Sequence, residues 1–182
     1  MPRHVAEGRT PPVIQVARVC LAFAVCSITA GAQQVLHVSR VRAEDPVIAA
    51  AIAQGIERST TFGGLIEAIN VTDGMVYVLE GKCGLGVRAC LHLSLELSGA
   101  NRLLRVLVTP SRAPGCELIG SIGHELQHAV EVLSNSRIRS TAELFSFFHR
   151  MRTETPVRFE TAKAVETGLT VEKEACKRPA SH

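Results

Sequence analysis

Within CELIGSIGHELQHAVEVLSN, residues 116 to 135, two histidines stand four positions apart with a glutamate directly after the first: His124-Glu125-Leu126-Gln127-His128. On an α-helix, positions i and i+4 differ by only about 40°, so the two imidazoles would stand one above the other and share one metal ion. Glu125 would be swung sideways by one residue. This arrangement suits metal-assisted hydrolysis, in which neutral imidazole nitrogens hold zinc and the adjacent carboxylate takes a proton from the attacking water. The competing reading is a pair of surface histidines or a metal-free remnant. Seven histidines in 182 residues make a fortuitous match uncommon.

The chemistry requires that the stretch be helical, and its pattern predicts this. Leu118, Ile122, Leu126, Ala129 and Leu133 form one apolar stripe, with Ile119 and Val130 along its edge, and His124 and His128 project from almost the opposite side. Pro114-Gly115 precedes the helix and Ser134-Asn135 stops it. Gly120 and Gly123 each cost on the order of 1 kcal/mol relative to Ala inside a helix. They imply either close packing against the sheet or the metal floor, or a frayed first half.

Upstream, GMVYVLEG, RACLHLSLELS and RLLRVLVTP are β-branched or alternating runs separated by Gly, Ser and Asn, and they predict three strands. Before them, Asp45-Pro46 opens a capped helix over DPVIAAAIAQGIERS, followed by a second over TFGGLIEAIN. After the histidine helix, Ser140-Thr141-Ala142-Glu143 is a capping box that opens TAELFSFFHRM. Thr155-Pro156 starts a last helix over VRFETAKAVETGLTVEKEAC, which Gly168 weakens in its middle.

The element GHELQHAVEV, after a strand and before further helices, resembles the zincin metallopeptidases, and in particular the compact gluzincins, whose third ligand is a glutamate on a later helix. The resemblance covers about Leu103 to Gly168. It implies an α+β fold: a small zincin-like domain with a short, mostly antiparallel sheet packed on the His-Glu-x-x-His helix, followed by a helical C-terminal part. It also implies Zn2+ as cofactor, His124 and His128 as ligands, Glu125 as general base and proton shuttle, and a peptide or protein as substrate. The metzincin extension is absent, since Val132 and Asn135 do not supply its Gly and His pattern.

Three carboxylates compete as third ligand. Glu143 is accounted for by its capping box. Glu160, in FETAKAV, resembles the gluzincin glutamate-helix pattern, although Ala162 stands where an Asp is common. Glu166 shares a helical face with Phe159, Ala162, Val165 and Leu169 and is therefore a candidate for burial, where a carboxylate needs a partner. Glu160 is preferred, because two helical residues about 240° apart can hardly bind one ion. An oxyanion donor would come from Tyr77, His92, His149 or Arg158, and LLRVLVT or VYVLEG would supply a sheet edge for an extended peptide.

The remaining features concern location. MPRHVAEGRTPPVIQVAR, the apolar run VCLAFAVCSIT and Ala30-Gly31-Ala32 read as a signal peptide over residues 1–32, or an uncleaved anchor, ahead of one metallopeptidase domain over 33–182. A membrane enters only if that segment stays uncleaved. Export to the periplasm or beyond agrees with the four cysteines past the segment. Cys83 and Cys90 would bridge a glycine-containing turn, leaving Cys116 and Cys176 to join the start of one helix to the end of another.

A net charge of +3 with scattered Lys and Arg, and aromatics at 4%, argue against nucleic acid as a partner. The alternative function is a catalytically inactive, zincin-like exported domain for binding or structure. Sequence leaves the substrate and the oligomeric state open.

Overall fold

A computed structural model describes residues 39–84, 86–109, 113, 115–151 and 160–177. The proposed signal segment and Arg158 lie outside the described residues. Among the described residues nine elements follow in order: β1 (Val41–Ala43), α1 (Pro46–Arg58), α2 (Thr60–Asn70), β2 (Gly74–Glu80), β3 (Ala89–Ser98), β4 (Asn101–Val108), α3 (Cys116–Leu133), α4 (Thr141–Met151) and α5 (Ala162–Cys176). The fold is α+β. No described helix is long and apolar enough to cross a membrane.

The helix boundaries have local causes. Asp45 accepts the amides of Val47 and Ile48 and Pro46 takes the first helical position of α1, where a missing N–H costs nothing. Ser59 accepts the amide of Phe62 to open α2. At α4 the Ser140 Oγ accepts the Glu143 amide at 3.2 Å while the Glu143 carboxylate accepts from Arg139 N and Ser140 Oγ, the reciprocal capping expected from sequence.

The sheet has the order β1-β2-β4-β3 and is mixed. β1 pairs with β2 in parallel and β2 with β4 in parallel; β3 runs antiparallel to β4 through a hairpin with Gly99 at φ 59°. The expected mostly antiparallel sheet is therefore corrected. Alternation in a strand tells which side chains share a face but not which strand lies next door, and β4 inserts between β2 and β3 instead of extending a meander. β2 and β4 are consequently interior strands, so neither offers the free edge expected of VYVLEG or LLRVLVT.

β3 is the outer strand on that side, and part of its edge is already engaged. The Leu91 N–H donates to Glu125 and the Leu95 N–H to the Thr141 hydroxyl. Helices cover the face carrying Val76, Val78, Leu104, Val106 and Leu91, all buried, and α3 lies at the centre of that layer with its apolar stripe fully buried.

Two disulfides close the unit. Cys83–Cys90 brackets the turn before and into β3, and Cys116–Cys176 joins the first residue of α3 to the last of α5. The pairing is the one expected from spacing. Since α3 begins where α5 ends, the two helices run antiparallel.

Their close approach explains the glycines. A Cβ on Gly120 would lie 2.6 Å from the Glu172 Cβ, one on Gly123 would lie 3.0 Å from the Val171 side chain, and one on Gly168 would lie 2.9 Å from the His124 Cβ. Gly120 and Gly123 thus face α5 and not the sheet, and α5 continues through Gly168 without a break.

Candidate metal centre

His124 and His128 lie on the side of α3 turned toward α5, away from the apolar stripe. That side is not solvent: His128 is 4% exposed, and its ring meets the edge of Phe148 from α4 at a centroid distance of 5.2 Å. The two imidazoles stand 4.9 Å apart, centroid to centroid, as their i, i+4 spacing requires.

Glu160 completes the group. One ligand atom from each of His124, His128 and Glu160 lies within 4.8 Å of the others. Glu160 Oε2 is 2.9 Å from His124 Nε2 and 4.0 Å from His128 Nε2. A tetrahedral zinc with bonds of about 2.0–2.2 Å needs donors about 3.3–3.5 Å apart. The two distances bracket that spacing, so the donor set suits the ion in chemistry and in reach.

The route by which Glu160 arrives corrects the sequence reading. It is not helical: α5 begins at Ala162, with Thr161 as an extended cap whose hydroxyl accepts the Ala164 amide at 3.1 Å. The start expected at Thr155-Pro156 lies in residues 152–159, outside the described ones. The same hydroxyl donates to Glu131 Oε1 at 2.8 Å, which pins the start of α5 to α3 and sets Glu160 beside the histidines.

Glu166, expected to be buried, is exposed, together with Ala162, Val165 and Leu169. The face of α5 that meets α3 instead carries Ala164, Thr167, Gly168, Val171 and Ala175. Glu143 stays in its capping box, away from the group.

Glu131 was not singled out from sequence. It accepts from Thr161 and lies 3.1 Å from His128 Nδ1, so it fixes which imidazole nitrogen is left facing Glu160. Burial works to raise its pKa, but the bonds from His128 and Thr161 outweigh this and hold it below the ordinary range. The signal was present as the continuation of the His124, His128 face by three more residues.

Glu125 is 8% exposed, and Oε2 accepts the Leu91 N–H at 2.6 Å while Oε1 lies 3.9 Å from His124 Nε2. Burial pushes its pKa up, against the opposing charges of His128 and His124. For His124, burial lowers the pKa, yet the bond to Glu160 and the carboxylates of Glu125, Glu160 and Glu131 raise it above the ordinary value overall.

The group opens onto a cleft of 630 Å³ lined on one side by Val87 and Arg88 and on the other by Val165 and Leu169. The described oxyanion candidates are not there. Tyr77 is on β2 toward the uncovered face of the sheet, His92 is exposed and bonded to Ser94, and His149 is exposed and stacked on Phe145. No protein-family model, curated protein or solved structure matches this chain.

Proposed function

We propose that the chain is an exported zinc-dependent hydrolase, a metallopeptidase of the zincin kind, with His124, His128 and Glu160 as metal ligands and Glu125 as general base. The convergence of two imidazoles and one carboxylate from separate segments within 4.8 Å carries this reading. The two disulfides agree with an oxidising compartment and hence with export.

Zinc held by these three groups would polarise a substrate carbonyl and bring the pKa of a water at an open position to about 7. The chain's own residues supply the remainder. Glu131 holds His128 in the tautomer that presents Nε2 to the site, and Gly168 allows α5 close enough to bring Glu160 over His124. Glu125, kept anchored by Leu91 N–H and raised in pKa by burial, takes a proton at Oε1 from the attacking water and returns it to the leaving nitrogen.

The first experiment is elemental analysis of the purified chain beside the His124→Ala/His128→Ala variant. One zinc per chain, lost in the variant, is expected; no zinc after reconstitution at neutral pH would overturn the metal reading. Glu125→Gln should then keep the zinc and abolish hydrolysis, and retained turnover would remove Glu125 from the mechanism. A second reading, a zincin-like exported binding domain without turnover, draws on one observation: none of Tyr77, His92 or His149 lines the cleft.

A further inference from the structure

We infer that the cleft selects a substrate residue with a long aliphatic side chain ending in a cation, lysine or arginine, whose stem lies on Val165 and Leu169 and whose charge meets Glu172. The inference rests on the hydrolase reading for where the substrate backbone passes, beside His124 and Glu125. It assigns the side-chain subsite next to that point.

Val165 and Leu169 are 43% and 65% exposed and stand four apart on α5, so they present one continuous apolar strip. Both line the cleft that contains His124, Glu125 and Glu160. The floor between α5 and α3 is made by Gly120 and Gly168, which leave room where any other residue would place a side chain. Glu172 continues the α5 strip and is rooted directly at Gly120, whose added Cβ would lie 2.6 Å from the Glu172 Cβ.

Gly120 is four residues from His124, a rise of about 6 Å along α3. A lysine or arginine stem spans a comparable length and packs along apolar surface while its charged head stays polar. The carboxylates of the cleft are already divided by role. Glu125 and Glu160 face the histidines, and Glu117 pairs with Arg88 at 2.9 Å. Glu172 lines the same cleft and makes no ion pair among the described residues.

An acidic substrate side chain would be repelled there. A purely apolar one would cover the strip but strip water from Glu172 without replacing it. A cationic tip on an aliphatic stem satisfies both surfaces.

The test measures binding, so it does not depend on turnover. Fluorescein-labelled, alanine-rich heptapeptides carrying lysine, norleucine or glutamate at the centre are titrated by anisotropy into the zinc-loaded full chain bearing Glu125→Gln. The lysine peptide is expected to bind about two- to fivefold tighter than the norleucine peptide, as for one solvent-accessible ion pair, with the glutamate peptide weakest. Adding Glu172→Gln should bring lysine and norleucine together without changing zinc content, Glu172→Lys should reverse the order, and Leu169→Ser should weaken both.

Equal or better binding of norleucine, a lysine preference that survives Glu172→Gln, or no binding of any peptide would overturn the inference. If the preference holds while the wild-type chain cleaves none of these peptides, the inference stands and the hydrolase reading falls.

Discussion

At its C-terminal end α3 gives the carbonyls of Val132 and Leu133 to the guanidinium of Arg102, whereas at its N-terminal end, where Gly115 offers no side-chain cap, the helix is tied to α5 by the Cys116–Cys176 disulfide. Arg102 is 2% exposed, also bonds the carbonyls of Asn135 and Ile138, and is paired with Asp73. One end is thus held by a charge in the dry interior, matched to the negative pole of the helix. The other is held covalently beside an open cleft. A buried cation with this many acceptors fixes position by geometry, while a disulfide limits separation and leaves the neighbouring wall free to line a pocket. The two ends should therefore fail under different insults.

The largest effect is expected at the interior end. Arg102→Ala removes the cap, takes the side-chain donor from the carbonyls of Leu133 and Ile138 and leaves Asp73 with Arg139 alone, which should cost about 3–5 kcal/mol, as for two buried acceptors left unsatisfied. Urea denaturation at neutral pH checks this. A loss below about 1 kcal/mol would show that the carbonyls find water instead and that the cap holds little.

The cleft end comes next. Replacing Cys116 and Cys176 by Ser opens a loop with a sequence separation of 60, against 7 for Cys83–Cys90. On a chain-entropy basis the losses should be about 4 and about 2.5 kcal/mol. Only the former should also weaken zinc retention, because it frees α5, whose cap sets Glu160. Equal effects on zinc from both pairs would deny that α5 is what brings the third donor.

A smaller effect separates glycines that touch from glycines that do not. Gly120→Ala sets a Cβ against Glu172 and the Gly168 carbonyl, an overpacking cost of about 1–3 kcal/mol, partly offset by about 1 kcal/mol of helix propensity. Gly64→Ala, in α2 with nothing within 4 Å of the added carbon, should only stabilise, by up to about 1 kcal/mol. Thermal melts of the two variants should move in opposite directions, and the same direction in both would mean that α5 yields to the added methyl.

These contrasts also mark what could be read from the sequence. The bounds of α3 and α4 were legible because an apolar stripe, a capping box and turn residues agree there. The cysteine pairs were legible because only one partition joins a turn to itself. The neighbours of β2 and β4 were not, since alternation carries no information on strand order, and β1 is three residues long, too short to leave a pattern.

The face of α5 was misread for a physical reason. A wheel ranks residues by hydrophobicity and so chose Val165 and Leu169, but a helix that must pass close to Gly120 and Gly123 buries small residues, Ala164, Gly168 and Ala175, instead. Glu160 as neighbour of the histidines was legible from the resemblance, while Glu131 signals only through its i, i+3 spacing from His128 and Arg102 carries no local motif. Thr161 lies 30 residues from Glu131, and the carbonyls that Arg102 bonds lie 30 to 36 residues from it.

The smallest effect tests the interior end from its wetter side. The Arg102 hydrogen bond, helped by the charges of Arg102 and Arg139, lowers the Asp73 pKa against the opposing contribution from burial. A depressed carboxylate contributes stability above its unfolded value, near pH 4, and loses that contribution as pH falls through the folded value. Asp73 keeps 35% of its side chain exposed, so the contribution should stay near or below about 1 kcal/mol.

Asp73→Asn should therefore lower the urea midpoint slightly at pH 7 and by progressively less as pH falls through the folded value of Asp73, and the variant's acid limb below pH 4 should be flatter. Arg102 keeps its carbonyl acceptors in that variant, which is why the loss should fall well short of that in Arg102→Ala. A loss that stays constant down the whole acid limb would assign the effect of Asp73 to packing and leave the Arg102 cap electrostatically self-sufficient.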